Sequence, residues 1–527
     1  MSWSELPTTA LLTAAPLLLG LGALLSYRQP QPVAAWRLAR ATTLSGLLIS
    51  AALLVLGLLS GPGLTGGWWQ SGPLHLIMLL LANFIGFVVV RYSTHYLQGE
   101  PRQQRFAALV QAVFAAVSIA VLSDHLLVFL AAWLGISMAM HQLLMFYPDR
   151  PRAALAAHKK FLFARAAELC ALTAFALLYL HHGTGQISTI VAAYTADSAA
   201  LTVSEQFAAC LLAMAALIKC AQLPLHGWLI QVVESPTPVS ATLHGGVINL
   251  GGYLLLLFSP LLLQSVPAQA LILLVAGVSS VLAALVMMTR ISVKVRLAWS
   301  TSAQMGLMLV EIALGLVELA LLHLLAHSCY KAYAFLSSGE AVQQDLLRRQ
   351  APARSPSAVR WLGALAISAL IVAGFGVVAQ SGFESTAFDA LSPWVLLTLA
   401  LTVLLAERGS RVTTGSLLAF TALAVVLTSV YLALKSVLGV VFPGPAHVTP
   451  IWADLWMSTL FVALFLGYYL QRHCLHRPWV QTLNVYLYAG FYLDEWVTRT
   501  TLQIWPHKLP RRARPKQLHP ISEEGLL

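Results

Sequence analysis

The sequence predicts an all-α polytopic membrane protein. Three observations carry that prediction: an apolar composition, repeated apolar runs and an alternating distribution of charge. Of the 527 residues, 58% are hydrophobic and only 10% are charged. Soluble globular domains carry about 25% charged residues. The composition therefore excludes a soluble protein.

Apolar runs of about 17–25 residues, each long enough to cross a bilayer, recur along nearly the whole chain. The first run lacks a basic region before it, so we expect a span there and no cleavable signal peptide. The runs predict about 15 transmembrane helices, at 8–26, 41–60, 74–90, 106–122, 125–146, 154–180, 206–229, 239–258, 267–289, 297–314, 318–338, 361–379, 392–406, 416–434 and 452–470.

The connections between these spans alternate between basic and nearly neutral. The neutral set, 61–73, 181–205, 259–266, 380–391 and 435–451, contains Lys435 as its single lysine or arginine. Cytoplasmic loops carry the excess of these residues, so we expect the N-terminus outside and the C-terminus in the cytoplasm. The net charge of +11 then reflects topology and indicates no nucleic-acid partner. The basic set holds Arg28, Arg37, Arg40, Arg91, Arg102, Arg105, Arg150, Arg152, Arg290, Lys294, Arg296, Arg348, Arg349, Arg354, Arg360, Arg408 and Arg411.

The residues after Gln471 differ from the spans. The stretch NVYLYAGFYLDEWVTRTTLQIW mixes aromatic, acidic and basic residues, and the basic run KLPRRARPKQ follows it. We expect this tail to lie along the membrane surface, to dock a cytoplasmic partner, or both.

Ionisable side chains inside or at the edges of the predicted spans are the informative exceptions to the apolar pattern. Such residues usually face a bundle interior or a water-filled path and mark an ion route. The candidate ion-translocation residues are Arg165, Glu168, Lys219, His244, Lys294, His323, His327 and Lys331.

Structural roles compete with that interpretation. Arg165 and Glu168 lie three residues apart on one helical face, so they also fit a static pair that locks helices together. A single buried histidine is more often a hydrogen-bonded structural residue than a relay. For Lys159 and Lys160 we prefer side chains that reach back to the cytoplasmic interface.

The stretch LLHLLAHSCYKAYAF places His323, His327 and Lys331 at four-residue spacing. On an α-helix these positions share one face and drift by about 40° per step. A stripe of this kind suits a relay that leads from the centre of a bundle to its edge, with Lys294 near one approach.

A proline inside a predicted span removes a helical hydrogen bond and breaks the helix. Pro224 lies five residues after Lys219, and Pro236 and Pro238 follow in ESPTPVSATLHGG. Broken helices at membrane depth require cover for the freed backbone, and in transporters the break lies beside the ion path. These prolines therefore predict a helix break next to Lys219.

Three ordered motifs resemble the antiporter-like subunits of respiratory complex I and of Mrp-type cation/proton antiporters. They are IKCAQLPLHGWLIQVVESPTPVSATLHGG, VKVRLAWSTSAQMGLMLVEIALG and LLHLLAHSCYKAYAFLSSG. The resemblance implies two inverted five-helix repeats, each with a broken helix. It also implies that Lys219 is the central proton-exchanging group, that Arg165 and Glu168 are its charged neighbours, and that the other candidates form a polar axis, namely His244, Lys294, His323, His327 and Lys331.

On this basis we divide the chain into five segments. They are peripheral helices (1–105), a first repeat (106–258), a second repeat (259–410), C-terminal helices (411–470) and a cytoplasmic or interfacial tail (471–527).

The sequence departs from that family in two places. The membrane glutamate of the family's GWEG segment is replaced by Leu134, in AWLGISMAMHQLL. The second-repeat segment IVAGFGVVAQSGFESTAFDA has no lysine, and Glu384 and Asp389 fall toward the outer side. We therefore expect another residue to replace the glutamate and the far half of the polar axis to be altered or closed.

The short C-terminal end and the segment YAGFYLDEWVTR resemble the DabB-type membrane subunits of bacterial inorganic-carbon complexes. The resemblance implies a subunit of the bacterial inner membrane that conducts H⁺ or Na⁺, as a transporter and not an enzyme. It implies a cytoplasmic partner, a DabA-like zinc protein resembling β-carbonic anhydrase, in which the cation gradient drives CO2 hydration to bicarbonate. The alternatives are a pump or antiporter subunit of a respiratory, hydrogenase or Mrp-type complex, and an inactive membrane anchor for a soluble enzyme.

We expect no cofactor in this chain, since no cluster of Cys, His and Asp has the spacing of a catalytic zinc site. Zinc is expected in the partner. The cysteines are scattered and are expected to be packing residues, at Cys170, Cys210, Cys220, Cys329 and Cys474.

Overall fold

The computed structural model is a bundle in which 12 helices, counted over the residues that it describes, are long and apolar enough to cross a membrane. It describes residues 6–60, 68–196, 200–341, 343, 345–346, 356–382, 390–407, 414–445 and 447–506. The predicted fold class, an all-α polytopic membrane protein, is confirmed. Helices also occupy the predicted spans 206–229, 297–314 and 392–406 but are not among the 12, so the number of 15 stays a prediction, as does the division into five segments.

The first part of the chain forms long helices that surround the later site. They are α1 (Leu6–Arg28), α2 (Pro32–Ser60), α3 (Pro73–Tyr96), α4 (Gln103–Leu122), α5 (Leu126–Leu144) and α6 (Pro151–His182), followed by the short α7 (Ile187–Ala196).

The middle of the chain alternates short and long helices. They are α8 (Val203–Lys219), α9 (Gly227–Gln231), α10 (Thr237–Gly245), α11 (Leu250–Leu257), α12 (Ser259–Gln264), α13 (Val266–Met288), α14 (Val293–Ala313) and α15 (Val317–Leu336). The segment of α10 and α11 is 94% buried over its apolar window, so it lies at the centre of the bundle.

The last part returns to long helices and ends in two short ones. They are α16 (Ala358–Gly382), α17 (Ser392–Ala406), α18 (Thr414–Val441), α19 (Ile451–His473), α20 (Pro478–Ala489) and α21 (Leu493–Ile504).

The connections sort onto two faces of the bundle. At one end of α6, isolated antiparallel bridges join Trp69 to Ser123 and His125 to Gln186. Trp69 and Gln186 belong to the nearly neutral set, and we call this end the neutral face. At the other end of α6, which we call the basic face, Arg150 donates to the carbonyl of Glu234 at 2.8 Å.

The first broken helix is interrupted directly after Lys219, where α8 ends. The chain turns through residues 220–226, with Ala221 at φ +51° and a cis peptide before Pro224, and resumes as α9. The turn thus contains Pro224, and it leaves Lys219 as the last residue of the helix.

Polar side chains from neighbouring helices cover the backbone that this break exposes. Ser302 of α14 donates from Oγ to the carbonyl of Ala221 at 2.9 Å, and within the turn the side chain of Gln222 donates to the carbonyl of Cys220 at 2.9 Å. The amide of Leu223 donates to Oγ of Ser279, on α13, at 3.0 Å. The interruption therefore meets the condition for a helix break at membrane depth.

Pro236 and Pro238 begin a helix instead of breaking one. Pro236 is the N-cap of α10, and Pro238 lies in its first turn, where a missing backbone N–H costs little. The predicted breaking role is therefore corrected for these two prolines.

A second helix interruption lies between α10 and α11, from Gly245 to Leu250. There the side chain of Asn249 donates to Oγ of Ser328 at 2.6 Å.

The region comparable to a second broken helix is continuous in its described part. The helix α16 runs from Ala358 to Gly382, and that segment contains no proline. Glu384 and Asp389 lie outside the described residues.

The tail folds back onto the protein. Between α20 and α21 the chain reverses through Gly490, Phe491 and Tyr492, all with positive φ. Asp494 of α21 then accepts hydrogen bonds from Nζ of Lys159 at 2.7 Å and from Nε2 of Gln231 at 2.9 Å. The tail therefore contacts α6 and α9 on the basic face, directly after the break.

We predict that Gly227→Ala detaches the tail. A Cβ at Gly227 would overlap the carboxylate of Asp494, so this side chain has to move and α21 loses its hydrogen bonds to Lys159 and Gln231. Limited trypsin digestion should cleave faster after Arg499, which lies on α21. Gly363→Ala is the control, since a Cβ there meets nothing within 4 Å. Equal cleavage in both variants would show that α21 is not held by this contact.

Candidate ion-translocation site

Lys219 is buried inside the bundle without a hydrogen-bond partner among the described residues. Its Nζ lies 4.7 Å from the ring centroid of Trp133 on α5, within the range of a cation–π interaction. A cavity of about 20 Å³ adjoins Lys219, enough for about one water molecule. A buried amine with room for one water is chemically suited to gain or lose a proton.

Arg165 and Glu168 form an ion pair beside Lys219. Nη2 of Arg165 lies 2.8 Å from one carboxylate oxygen of Glu168 and 2.6 Å from the other. The charges of both residues act on Lys219. The pair therefore exists, and its position next to the lysine is compatible with both a structural and an electrostatic role.

Lys160 does not reach back to the interface. It is buried and donates from Nζ to the carbonyl of Ser137 at 2.6 Å and to Oγ of Ser137 at 3.0 Å. Ser137 lies one helical turn after Leu134 on α5, and Lys160 lines the same small cavity as Lys219. A second lysine thus joins the cluster in the region where the family's glutamate is missing.

Lys159 lies on the basic face, but not as an exposed interfacial side chain. Its side chain is fully buried, and it donates to Asp494 at 2.7 Å and to Oγ1 of Thr498 at 2.9 Å. An unpaired buried ammonium is costly, and the tail carboxylate provides its counter-charge.

His244 lies at the centre of the bundle, on α10. Its Nδ1 is 3.0 Å from Oγ1 of Thr301, and its ring stacks on Phe335 at 4.3 Å between centroids. Nε2 has no hydrogen-bond partner among the described residues. His244 therefore has one fixed nitrogen and one open nitrogen, and the charge of Lys331 acts on it.

The three ionisable residues of the stripe on α15 differ in burial: Lys331 and His327 are buried, and His323 is partly exposed. Lys331 donates to Oγ of Ser300 at 2.5 Å. His327 is buried, and its Nε2 has no partner in the described part of the chain. The rings of His323 and His327 are 6.2 Å apart. The three residues thus share one face of α15, as the spacing predicts. His244 lies next to the end of this stripe that holds Lys331.

Lys294 stands apart from this cluster. It lies in the first turn of α14 and donates to Oγ1 of Thr237, at the start of α10, at 2.7 Å. Both positions are on the basic face. Lys294 therefore marks an approach to the bundle.

Sequence reasoning missed Glu311, which the structure joins to the stripe. One of its oxygens lies 2.9 Å from Nδ1 of His323, and Oε1 of Gln304 lies 2.7 Å from Nε2 of the same ring. Glu311 is a lone carboxylate in the predicted span 297–314. The rule that selected the other ionisable residues also applies to it.

One group among the described residues has ligand atoms close enough for a metal ion, namely His181, His182 and Glu205 on the neutral face. Its members already bond one another. His181 lies 3.2 Å from Glu205, and Tyr194 bridges His182 and Glu205 with two contacts of 2.8 Å. Glu205 also caps α8 through Thr202, so these contacts have a structural purpose without a metal.

Comparison with known proteins places this arrangement in a family. Residues 123–379 match the family described as NADH:quinone oxidoreductase/Mrp antiporter, TM. Residues 71–107 match the N-terminal part of chain 5 of NADH-ubiquinone oxidoreductase, complex I.

A solved Mrp complex from Dietzia sp. DQ12-45-1b has a similar fold, with a TM-score of 0.64 and 22% identity. The similarity covers 94% of this chain and 60% of the Mrp chain. The chain thus spans less than two thirds of that protein, and the likeness supports the antiporter-like fold alone.

Curated relatives match over nearly the full length. The probable inorganic carbon transporter subunit DabB2 of Halothiobacillus neapolitanus is 36% identical over 91% of this chain and 88% of its own length. The probable inorganic carbon transporter subunit DabB of Hydrogenovibrio crunogenus is 48% identical over 97% of each chain. Given this identity and coverage, the protein belongs to the DabB family of antiporter-like membrane subunits.

Proposed function

We propose that the protein is the ion-conducting membrane subunit of a two-component inorganic-carbon uptake complex. The observation that carries the proposal is a row of ionisable groups inside a membrane bundle, from Lys219 at the helix break to the stripe on α15. Charges at such depth are costly, and in membrane proteins they usually mark ion routes. The names of the relatives supply the inorganic-carbon context.

Proton exchange at Lys219 would depend on its neighbours. A positive charge there is favoured by Glu168 and disfavoured by Arg165, and both act on it. A movement that separates Arg165 from Glu168 therefore changes how strongly Lys219 holds its proton. This electrostatic switch would serve in place of the lysine–glutamate contact that Leu134 removes.

The second half of the path would differ from that of the family. The comparable lysine is absent, and α16 is continuous in its described part. The ion would therefore pass along the stripe of His327 and His323 and leave the bundle near α14 and α15, without a second broken helix.

The coupled reaction would take place in a cytoplasmic partner. We propose a DabA-like zinc protein resembling β-carbonic anhydrase, with the zinc in that protein and no cofactor in this one. The basic face would meet the cytoplasm of the bacterial inner membrane, with the N-terminus outside and the C-terminus inside. In that orientation the tail, which touches α9, is available to the partner.

A pump or antiporter function remains the second candidate, because the Mrp complex shares the fold. Cation/proton exchange in vesicles without an inorganic-carbon phenotype would favour it over the proposed function. An inactive anchor would instead leave carbon uptake insensitive to uncouplers.

We predict that Lys219→Ala and Lys331→Ala together abolish carbon uptake by the intact complex. Each removes a proton-carrying group from the row, and a barrier raised by about 1.4 kcal/mol already slows transport about tenfold. The measurement is growth in air of a carbonic-anhydrase-deficient bacterium that expresses the complex. Lys435→Ala is the control, since Lys435 pairs with Glu318 at 3.7 Å outside the row. Full rescue by the double variant would disprove ion conduction through these lysines.

We predict that Glu168→Gln reduces uptake per assembled complex by about tenfold or more, because Lys219 loses its carboxylate neighbour. Thermal stability of the purified complex separates this effect from a structural one. In a double-mutant cycle with Arg165→Ala, a static pair would show coupling in stability alone. Coupling in uptake at unchanged stability is the result that we expect.

A further inference from the structure

We infer that Glu311 and His323 form the port through which protons pass between the stripe on α15 and the neutral face. This inference rests on the proposed function and adds to it the exit of the path and the identity of the ion. The family resemblance assigned no role to Glu311, and three observations on this residue and its neighbours support the port.

The first is the position of the pair in the bundle. Glu311 lies two residues before the end of α14, and His323 lies in the second turn of α15. The turn between the two helices, Leu314 to Leu316, contacts the connection that holds His447 and Thr449. That connection belongs to the neutral set, so the pair lies near the neutral face, at the end of the stripe away from Lys331.

The second is the hydrogen bonding of His323. Gln304 presents an amide oxygen to Nε2 at 2.7 Å, so Nε2 carries a proton and donates it to this bond. Nδ1 is left to face the carboxyl group of Glu311 at 2.9 Å. The ring orientation and the tautomer are thus fixed for exchange with Glu311.

A proton can move in this cluster without loss of a hydrogen bond. When Glu311 is protonated, its hydroxyl donates to Nδ1 of a neutral His323. Transfer of that proton gives an imidazolium that donates back to the carboxylate, while Nε2 still donates to Gln304. The carboxyl group loses one proton and the ring gains it, and an imidazole ring can both accept and donate a proton.

The third is a cavity next to Glu311. It has a volume of about 240 Å³ and is lined by the turn residues Leu314 and Leu316 and by Ser392 and Pro393 at the start of α17. Oγ of Ser392 is buried and has no partner among the described residues. Buried hydroxyls of this kind are normally satisfied by ordered water when the site is polar and roomy enough.

Water in this cavity would link Glu311 to the neutral face. Its walls are otherwise mostly apolar, with Glu311, Ser392 and Tyr431 as the polar groups. Few oxygens are therefore available for the shell that a sodium ion receives from carbonyl and carboxylate groups. This lining favours the proton over sodium as the ion that uses the port.

From His323 the path continues to His327. Their ring centroids are 6.2 Å apart, so a bridging water or a rotation of a ring has to complete the step. Nε2 of His327 is open for it. The port thus connects to the open nitrogen of the next group in the stripe.

Glu311→Gln in the complete complex tests this assignment. The variant keeps the size of the side chain and removes the exchangeable carboxyl proton, so uptake should fall by about tenfold or more. Glu311→Asp retracts the carboxyl group from Nδ1 and should give an intermediate rate. Glu318→Gln is the matched control, because Glu318 lies on α15 and pairs with Lys435 outside the stripe. It should retain uptake.

A spectroscopic measurement gives a second, independent result. In infrared difference spectra of the purified complex between two pH values, the wild type should show a protonated-carboxyl band that shifts in D2O. Glu311→Gln should lack that band, and Glu318→Gln should keep it. Should Glu311→Gln fail to assemble, the Glu311→Asp variant decides: uptake and spectra equal to wild type would overturn the port.

The failure of this inference is distinguishable from failure of the proposed function. Wild-type uptake in Glu311→Gln, with uptake lost in Lys219→Ala, would overturn the port alone. Wild-type uptake in both variants would overturn both. Uptake that follows a sodium gradient and ignores a proton gradient would overturn the assignment of the ion.

Discussion

The architecture depends on polar cover for one interrupted helix. A helix that stops at Lys219 inside a membrane leaves backbone groups that lipid cannot satisfy. Ser279, Ser302 and Gln222 satisfy these groups with side chains from α13, α14 and the turn itself. This cover allows the break to persist at membrane depth, and the break in turn leaves the lysine at the end of a helix, next to Trp133 and a small cavity that Lys160 also lines.

The local features were predictable from the sequence, and the long-range contacts were not. Hydropathy locates the spans because each must match the bilayer, and Pro224 locates the break because proline cannot continue a helix. Glu311 could have been found by the rule that found Lys331. Its pairing with His323 across 12 residues and the turn at Gly315, however, depends on how α14 and α15 pack.

The contact between Lys159 and Asp494 shows more strongly that long-range contacts cannot be predicted from the sequence. The two residues are 335 positions apart, and a lysine near a predicted helix end most simply reaches to the interface. The docked tail provides a carboxylate for this lysine, and the ion pair offsets the cost of burying the ammonium group. Likewise, the stabilisation of Lys160 by Ser137 follows from the packing of α5 on α6, which composition does not encode. The two prolines that start α10 show that a residue type alone does not distinguish a helix break from a helix start.

The loss of the family's glutamate at Leu134 leaves a cluster with an unusual charge balance. Lys219, Lys160 and Arg165 carry three potential positive charges, and Glu168 is the carboxylate that acts on both lysines. The electrostatic energy of such a cluster is lowest when at least one amine is neutral, because like charges at close range in a low-dielectric interior repel strongly. This charge balance supports the proposal that one of the two lysines exchanges a proton.

The tail contact also has a consequence for biosynthesis. Membrane helices are inserted in order as the chain is made, so α6 is in place long before residue 494 is translated. Until then Lys159 lacks the carboxylate that it pairs with in the folded protein, and an unpaired buried ammonium is costly. Completion of the C-terminal segment therefore supplies the counter-charge late in synthesis, and a chain without this segment has an unneutralised cation beside the broken helix.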